Sequence, residues 1–330
     1  MPLRVCVIGC GQFGLVLASH AVRCGHDTTL WARTEAEREP LERTRVSPRL
    51  PGFALPVSVR VTNDATGAVT DADLVITAIP SQYARSVWTV LGRSLPKSAI
   101  LVSVAKGLEV GTLLRPSEVL RECAPGAEVV SLSGPTIASE VGGGLPTALV
   151  AAGCAQAADV VQRTLAGDVW RVYTSTDQIG VEVAGALKNV IALAAGMTDG
   201  MRLGTNAKAT LLARGIAEIA RLGVDLGAQR ETFYGVAGVG DLATTCFSPE
   251  GRNRTLGERL GAGESLANAL ASMHAVVEGV DTCRAAVELA AARRIDMPLA
   301  RAVHGVLFGG LSPRAALIEL MRREGTAERV

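Results

Sequence analysis

The feature that most constrains this chain is a glycine turn set between a strand and a helix. Arg4–Ile8 reads as a short apolar strand and runs straight into Gly9-Cys10-Gly11-Gln12-Phe13-Gly14, after which Phe13–Cys24 has helical length. In such a unit each glycine has its own physical task. Gly9 permits the tight turn, Gly11 lets a pyrophosphate approach the backbone, and Gly14 lets the helix pack close against the strand. The amides and the positive dipole end of the helix then face the phosphates. G-x-G-x-x-G is a weak signal alone; its place between a strand and a helix gives it force.

The rest of the first half repeats the alternation. Thr28–Trp31, Leu74–Ala78, Ala99–Val104, Glu128–Leu132 and Thr147–Ala151 are apolar runs of strand length, and segments such as Tyr83–Leu91 between them are helix-length. Continuous apolar runs are what strands buried on both faces of a parallel sheet look like. They predict an α/β domain, an N-terminal Rossmann-type doubly wound sheet. Thr34–Pro51 is the most polar stretch and reads as a surface excursion.

From about Asp177 the periodicity turns helical, over Ile179–Met197, Ala207–Leu222, Thr282–Arg293, Pro298–Leu307 and Pro313–Arg323. Ser312 before Pro313 is an N-cap followed by proline at the first helical position, and Pro298 opens its helix the same way. The expected division is 1–180, an NAD(P)-binding domain, and 181–330, an all-α substrate-binding and catalytic domain. Apolar residues are 48% of the chain and aromatics only 3%, so both cores must be aliphatic.

Bulk properties exclude several functions. The net charge is +1 with no basic block, which argues against a nucleic-acid partner. No apolar run approaches the roughly 20 residues of a membrane span, so no membrane insertion is expected. The cysteines, Cys6, Cys10, Cys24, Cys123, Cys154, Cys246 and Cys283, include no CxxC pair and read as reduced thiols. His20, His26, His274 and His304 are scattered, so no metal site is expected. Without a signal peptide before the first strand, the expectation is a soluble cytoplasmic protein.

Four charged residues carry the candidate chemistry. Arg33 stands after the second strand, where an NAD-selective site usually carries an acid for the ribose 2′-hydroxyl. An arginine suits a 2′-phosphate and favours NADPH over NADH, unless it is merely an exposed strand end. Lys188 and Glu182 are the only charges between Ile179 and Met197. Six positions apart, they do not face each other on a helix, and Ala184, Ala192 and Ala195 share the lysine's stripe. Burial disfavours a lysine's charged form and so suits it to proton transfer; the other reading is a lysine snorkelling from an apolar seam. Asp241, in Gly238-Val239-Gly240-Asp241-Leu242, is either a functional carboxylate or a helix N-cap. Arg252, in Gly251-Arg252-Asn253-Arg254, is either a phosphate donor or a solvated loop charge.

Together with further runs these motifs resemble one family over essentially the whole chain. The runs are Ile79-Pro80-Ser81-Gln82, Ala105-Lys106-Gly107-Leu108-Glu109, Ser133-Gly134-Pro135-Thr136-Ile137-Ala138, Ala186-Leu187-Lys188-Asn189-Val190 and Val277-Glu278-Gly279-Val280. The chain is similar to the soluble, biosynthetic NAD(P)-dependent glycerol-3-phosphate dehydrogenases. The resemblance implies reduction of dihydroxyacetone phosphate to sn-glycerol 3-phosphate for phospholipid synthesis, with NADPH or NADH, no metal, and a homodimer. It implies Lys188 as acid/base, with Asp241 and Lys106 as its catalytic neighbours. It also implies Lys106, Gly134, Thr136, Lys188, Asn189, Asp241, Thr245, Arg252 and Asn253 as substrate contacts. Cofactor contacts would be Gly9, Gly11, Gln12, Phe13, Gly14, Arg33, Pro80, Lys106, Ala138, Arg252, Val276 and Glu278.

The chain departs from the family pattern in places. Gln12 and Phe13 stand where Ser or Asn and then Trp are common, Leu15 and Val16 where small or hydroxyl residues are usual, and Gly251 where bacterial members usually have Ser. Ser248-Pro249-Glu250 lengthens the loop before Arg252. Two other readings bear on these changes. One is a paralogous dehydrogenase acting on another phosphorylated ketone or aldehyde in secondary metabolism. The other is an idle NAD(P)-sensing protein, whose mark would be loss of Lys188 or Asp241; both are present.

Overall fold

A computed structural model describes residues 1–273, 276–325 and 327–328. The chain forms two compact units, Met1–Ala105 with Pro116–Gln178, and Lys106–Arg115 with Ile179–Val330. The contiguous division expected from sequence differs from this by segment 106–115. Leu108 of that segment is fully buried in the helical core, and Arg115 forms a 2.9 Å ion pair with Glu182.

The first unit alternates β1 (Arg4–Ile8), α1 (Gln12–Arg23), β2 (Asp27–Trp31), α2 (Glu35–Thr44), β3 (Arg60–Thr62), α3 (Ala65–Thr70), β4 (Leu74–Thr77), α4 (Ser81–Leu91), β5 (Ile100–Ser103), α5 (Pro116–Cys123), β6 (Glu128–Ser133), α6 (Ala138–Gly142), β7 (Thr147–Ala152), α7 (Ala155–Leu165) and β8 (Trp170–Ser175). The strands make one eight-stranded sheet in the order β3-β2-β1-β4-β5-β6-β7-β8. The core lies on both faces, because neighbouring strand residues point opposite ways. Val5 and Val7 enter one cluster with Leu30, Leu74 and Ile76. Cys6 and Ile8 enter the other with Val75, Trp88 and Leu101.

Three features of this unit differ from the sequence reading. β7 runs antiparallel to β6, because the connection between them holds only the five-residue α6 and turns the chain back. β3 and β8 were not anticipated. β3 has three residues, and β8 alternates buried with exposed positions, as an edge strand does, so neither shows a continuous apolar run. The polar excursion after residue 34 contains a helix, α2, whose N-cap Thr34 accepts a bond from Glu37 N.

The second unit holds α8 (Gln178–Gly200), α9 (Gly204–Asp225), α10 (Asp241–Phe247), α11 (Arg252–Gly261), α12 (Leu266–Ala271), α13 (Glu278–Arg293), α14 (Pro298–Phe308) and α15 (Pro313–Met321). The capping signals act as read. Ser312 Oγ accepts from Ala315 N at 3.1 Å, and Pro298 opens α14. One expectation is corrected: α8 has 23 residues and contains an 18-residue window long and apolar enough by composition to cross a membrane. Its most apolar window is 89% buried inside the protein, where it forms the core around which the other helices pack.

Candidate active site

In the first unit the sheet order reverses beside β1, which pairs with β2 on one side and β4 on the other. Ligands of open α/β sheets bind beyond the carboxyl ends of strands at such a reversal, and the glycine turn stands there. Gly9 has φ +117°, and a Cβ on it would lie 2.6 Å from the Ala78 carbonyl oxygen. A Cβ on Gly14 would lie 2.0 Å from Gly9 O, whereas one on Gly11 would meet nothing within 4 Å. Gly11 caps α1 with no side-chain bond, and no acid sits in the first turn. Those amides and that open backbone fit a pyrophosphate. Pro80, after β4, is the N-cap of α4.

The side chains in this turn have protein partners. Gln12 Nε2 donates to Arg49 O at 2.6 Å, and the Phe13 ring stacks on Trp170 at 6.2 Å between centroids. Arg49 itself was passed over in the sequence. Its guanidinium donates to Cys10 O at 3.4 Å and pairs with Glu37 at 2.6 Å. No local pattern announces a contact spanning 39 positions. Arg33 is exposed after β2, while the nearby acids Glu35 and Glu37 are engaged by Arg38 and Arg49.

The second unit gathers the catalytic candidates around one carboxylate. Asp241 is 1% exposed. Its Oδ1 accepts from Lys188 Nζ at 2.9 Å and its Oδ2 from Lys106 Nζ at 2.7 Å. Lys188 Nζ also donates to Thr245 Oγ1, whose own hydroxyl donates to Asp241 O at 2.7 Å. Asn189 Nδ2 donates to Lys106 O at 2.8 Å, which ties the lysine's backbone to α8. Burial pushes the Lys106 ammonium down to about 8; Asp241 opposes that fall and Lys188 adds to it.

Asp241 is therefore not a helix N-cap. Gly240 holds the N-cap position of α10, and the carboxylate turns to the lysines. A single π-helical turn, Val236–Gly240, delivers it. The turn needs glycine at 238, where a Cβ would lie 2.1 Å from Phe233 O. Such turns recur at functional sites because they displace a side chain from the ordinary helical path. Lys188 is likewise no snorkelling lysine, since its ammonium is buried on Asp241.

Arg252 opens α11 with an exposed side chain, and its Nη1 donates to Val276 O at 2.8 Å. Asn253 is buried, and its Oδ1 accepts from Gly279 N at 3.0 Å, which satisfies an amide at the start of α13. Glu278 is the first residue of α13 and acts on Lys106 through its charge. Lys106, Lys188, Asn189, Asp241 and Thr245 thus come together in the second unit. In the first unit, Gly134 has φ +146°, Thr136 Oγ1 donates to Gly134 O at 3.3 Å, and Ala138 opens α6.

All seven cysteines are free. Among the described residues no three His, Cys, Asp or Glu side chains are grouped to hold a metal; His274 lies outside them.

Two family models match the chain. The N-terminal model of NAD-dependent glycerol-3-phosphate dehydrogenase covers residues 4–159, and the C-terminal model covers 177–318. A glycerol-3-phosphate dehydrogenase [NAD(P)+] of Geobacter sulfurreducens is 44% identical over 335 residues, covering 100% of both chains. One from Thermoanaerobacter sp. is 42% identical over 323 residues, 98% of each. The crystal structure of glycerol-3-phosphate dehydrogenase from Coxiella burnetii superposes with a TM-score of 0.93 at 32% identity, covering 98% of this chain and 99% of that one.

Proposed function

Because the chain belongs to the NAD-dependent glycerol-3-phosphate dehydrogenase family, we propose that it reduces dihydroxyacetone phosphate to sn-glycerol 3-phosphate, with Lys188 as the proton donor. The observation that carries this reading is the Lys188–Asp241–Lys106 arrangement, two ammonium groups held on one buried carboxylate. The dinucleotide, when bound, would supply the hydride for the substrate's ketone carbon and be oxidised to NAD(P)+. The carbonyl π pair moves onto oxygen, which takes a proton from Lys188 Nζ and becomes the new hydroxyl. Lys188 regains its proton from solvent.

The protein's contribution is electrostatic and positional. Negative charge grows on the ketone oxygen as the hydride arrives, so fixed cations stabilise the transition state more than the neutral ketone. Asp241 keeps both ammonium groups aimed without solvent reorganisation. Arg252, Asn253, Thr245 and Asn189 would grip the phosphate and hydroxyls, with Gly134 and Thr136 as further substrate contacts. A guanidinium suits phosphate because its fork binds two oxygens. A grip remote from the reacting carbon fixes the carbonyl in place.

The cradle of Gly9, Gly11, Gln12, Phe13 and Gly14 would hold the dinucleotide, with Pro80, Lys106, Ala138, Arg252, Val276 and Glu278 as further contacts. We take NADPH as the favoured form, since Arg33 is exposed and the neighbouring acids are already paired. By the same reading residues 1–180 serve the cofactor and 181–330 the substrate, and the protein acts in the cytoplasm as a homodimer. The test is steady-state oxidation of NADPH and NADH with dihydroxyacetone phosphate. Saturable turnover is expected; negligible oxidation by folded protein rejects the assignment. No observation favours a different phosphorylated carbonyl.

A further inference from the structure

A second charged cluster lies along the same helix as Lys188 and has no part in the chemistry above. Asp199, about three helical turns beyond Lys188 on α8, receives Lys208 Nζ on both carboxylate oxygens at 2.8 and 2.7 Å. Arg254 Nε reaches the same carboxylate at 2.8 Å, and Arg254 Nη1 lies 3.2 Å from Glu258. The side chains of Lys208 and Arg254 are only 10% and 14% exposed. Lys208 also stands over the Phe247 ring at 5.0 Å. Four helices meet here: α8 through Asp199, α9 through Lys208, α10 through Phe247 and α11 through Arg254.

The contact between α8 and α11 explains why such a lock is needed. A Cβ on Gly196 would lie 1.9 Å from Arg254 O, and one on Gly200 2.1 Å from Glu258 O. In return, a Cβ on Gly257 would lie 2.0 Å from Leu193 O, and one on Gly261 2.4 Å from Met197 O. The helices therefore rest backbone on backbone, through glycines four apart on each. Helix pairs ordinarily hold their register because side-chain ridges sit in grooves. Glycine faces bring axes close but offer no interdigitating ridge, so small displacements along the helix axis meet little side-chain resistance there. Asp199 and Arg254 lie at that contact and supply the missing stop.

We propose that Asp199 is a positioning residue: through Arg254, with Lys208 bracing it from α9, it fixes the axial register of α11 on α8. It thereby sets where Arg252 stands relative to Lys188. Arg252 precedes Arg254 by two residues in the first turn of α11, and Gly251 caps that turn with no side-chain bond. A slip of α11 would move Arg252 and leave the Lys188–Asp241–Lys106 cluster in place. The inference rests on reading Arg252 as the phosphate grip.

The test compares dihydroxyacetone phosphate with unphosphorylated dihydroxyacetone in wild type, Asp199→Asn and Arg254→Met. For both variants kcat/KM for the phosphorylated ketone is expected to fall about tenfold or more, chiefly through a higher KM. Turnover of dihydroxyacetone, which uses no phosphate grip, should stay within about twofold of wild type, and Asp199→Glu should recover part of the loss. Parallel losses on both substrates would mean that the cluster only supports folding, and unchanged kinetics would mean that it does not set the register; either result overturns the proposal. Titration of inorganic phosphate into each protein, read as a shift in melting temperature, checks the same point without catalysis. Weaker phosphate binding by the variants is expected, and equal binding overturns the inference. Failure of wild type to reduce dihydroxyacetone phosphate would instead reject the proposed function, while the phosphate titration still reports on Asp199.

Discussion

Lys188 and Lys106 share one carboxylate: Asp241 accepts the first on Oδ1 at 2.9 Å and the second on Oδ2 at 2.7 Å. The two lysines lie far apart in sequence, and each brings positive charge to a site where water is scarce. Glu278, at the start of α13, is a second acid acting on Lys106. Asp241 fixes the direction of both ammonium groups, which suits them to stabilise negative charge on a ketone oxygen in the proposed reduction.

Lys188→Ala removes the proposed proton donor and leaves Asp241 paired with Lys106. Turnover should fall about 10²–10⁴-fold. Cofactor affinity, followed by quenching of protein fluorescence, should change little. Near-wild-type turnover would end the assignment of Lys188 as acid/base.

The pH dependence should carry the signature of Lys106. Its ammonium is held near 8, below the ordinary 10.5, chiefly by burial. If its charge is needed, kcat/KM for dihydroxyacetone phosphate should decline as pH rises through about 8 in the free enzyme. Lys106→Arg keeps the charge at high pH and should remove that limb while lowering activity. A limb that stays at 8 in the arginine variant would assign it to another group. For stability the sign is opposite. A depressed pKa in the folded state means that the contribution is present above the unfolded value and is lost as pH falls through about 8.

Arg252→Ala should chiefly raise KM for dihydroxyacetone phosphate, because a phosphate grip contributes largely uniform binding. The side chain is exposed and its protein bond is to a carbonyl, so the melting temperature should hardly move. Unchanged substrate affinity in this variant would show that the phosphate is bound elsewhere.

Arg33→Asp should shift preference from NADPH toward NADH, since an acid at the end of β2 takes the ribose 2′-hydroxyl and repels a 2′-phosphate. The ratio of kcat/KM for the two cofactors measures this. An unaltered ratio would leave Arg33 as an exposed strand-end charge.

Glu218 yields a prediction about stability alone. It is 2% exposed and accepts from Leu299 N at 2.9 Å and Ala300 N at 2.8 Å, at the start of α14. Burial pushes its carboxyl up to about 7, the two amides and Arg221 oppose this, and Asp296 adds to it. With the folded pKa raised, the contribution to stability is full below the unfolded value near 4.5 and is lost as pH rises through about 7. Glu218→Gln cannot ionise, so urea midpoints measured from pH 4.5 to 7.5 should slope less in the variant. Identical slopes would contradict the assignment.

The nucleotide-binding unit was legible in the sequence because its determinants are local. A glycine turn after an apolar strand needs only its neighbours to be understood, and so do Ser312 capping Pro313 and the alternation through β1, β2, β4 and β5. Edge elements escaped because β3 is short and β8 alternates, and because nothing in the composition of β7 states its direction. The long apolar α8 needed the fold to show that protein surrounds it. Lys188 could be singled out as an isolated charge on that helix, but its partner could not be identified from spacing. Asp241 stands 53 residues away and Lys106 a further 82 before Lys188. The sequence by itself determined which chemical groups are available and which local turns carry them. Only the tertiary structure decided that two lysines converge on one carboxylate, that Arg49 lies on the glycine turn and that Asp199 locks α11 to α8. Such contacts arise from packing helices and loops that no local preference orders, so their geometry exists only once the core has closed.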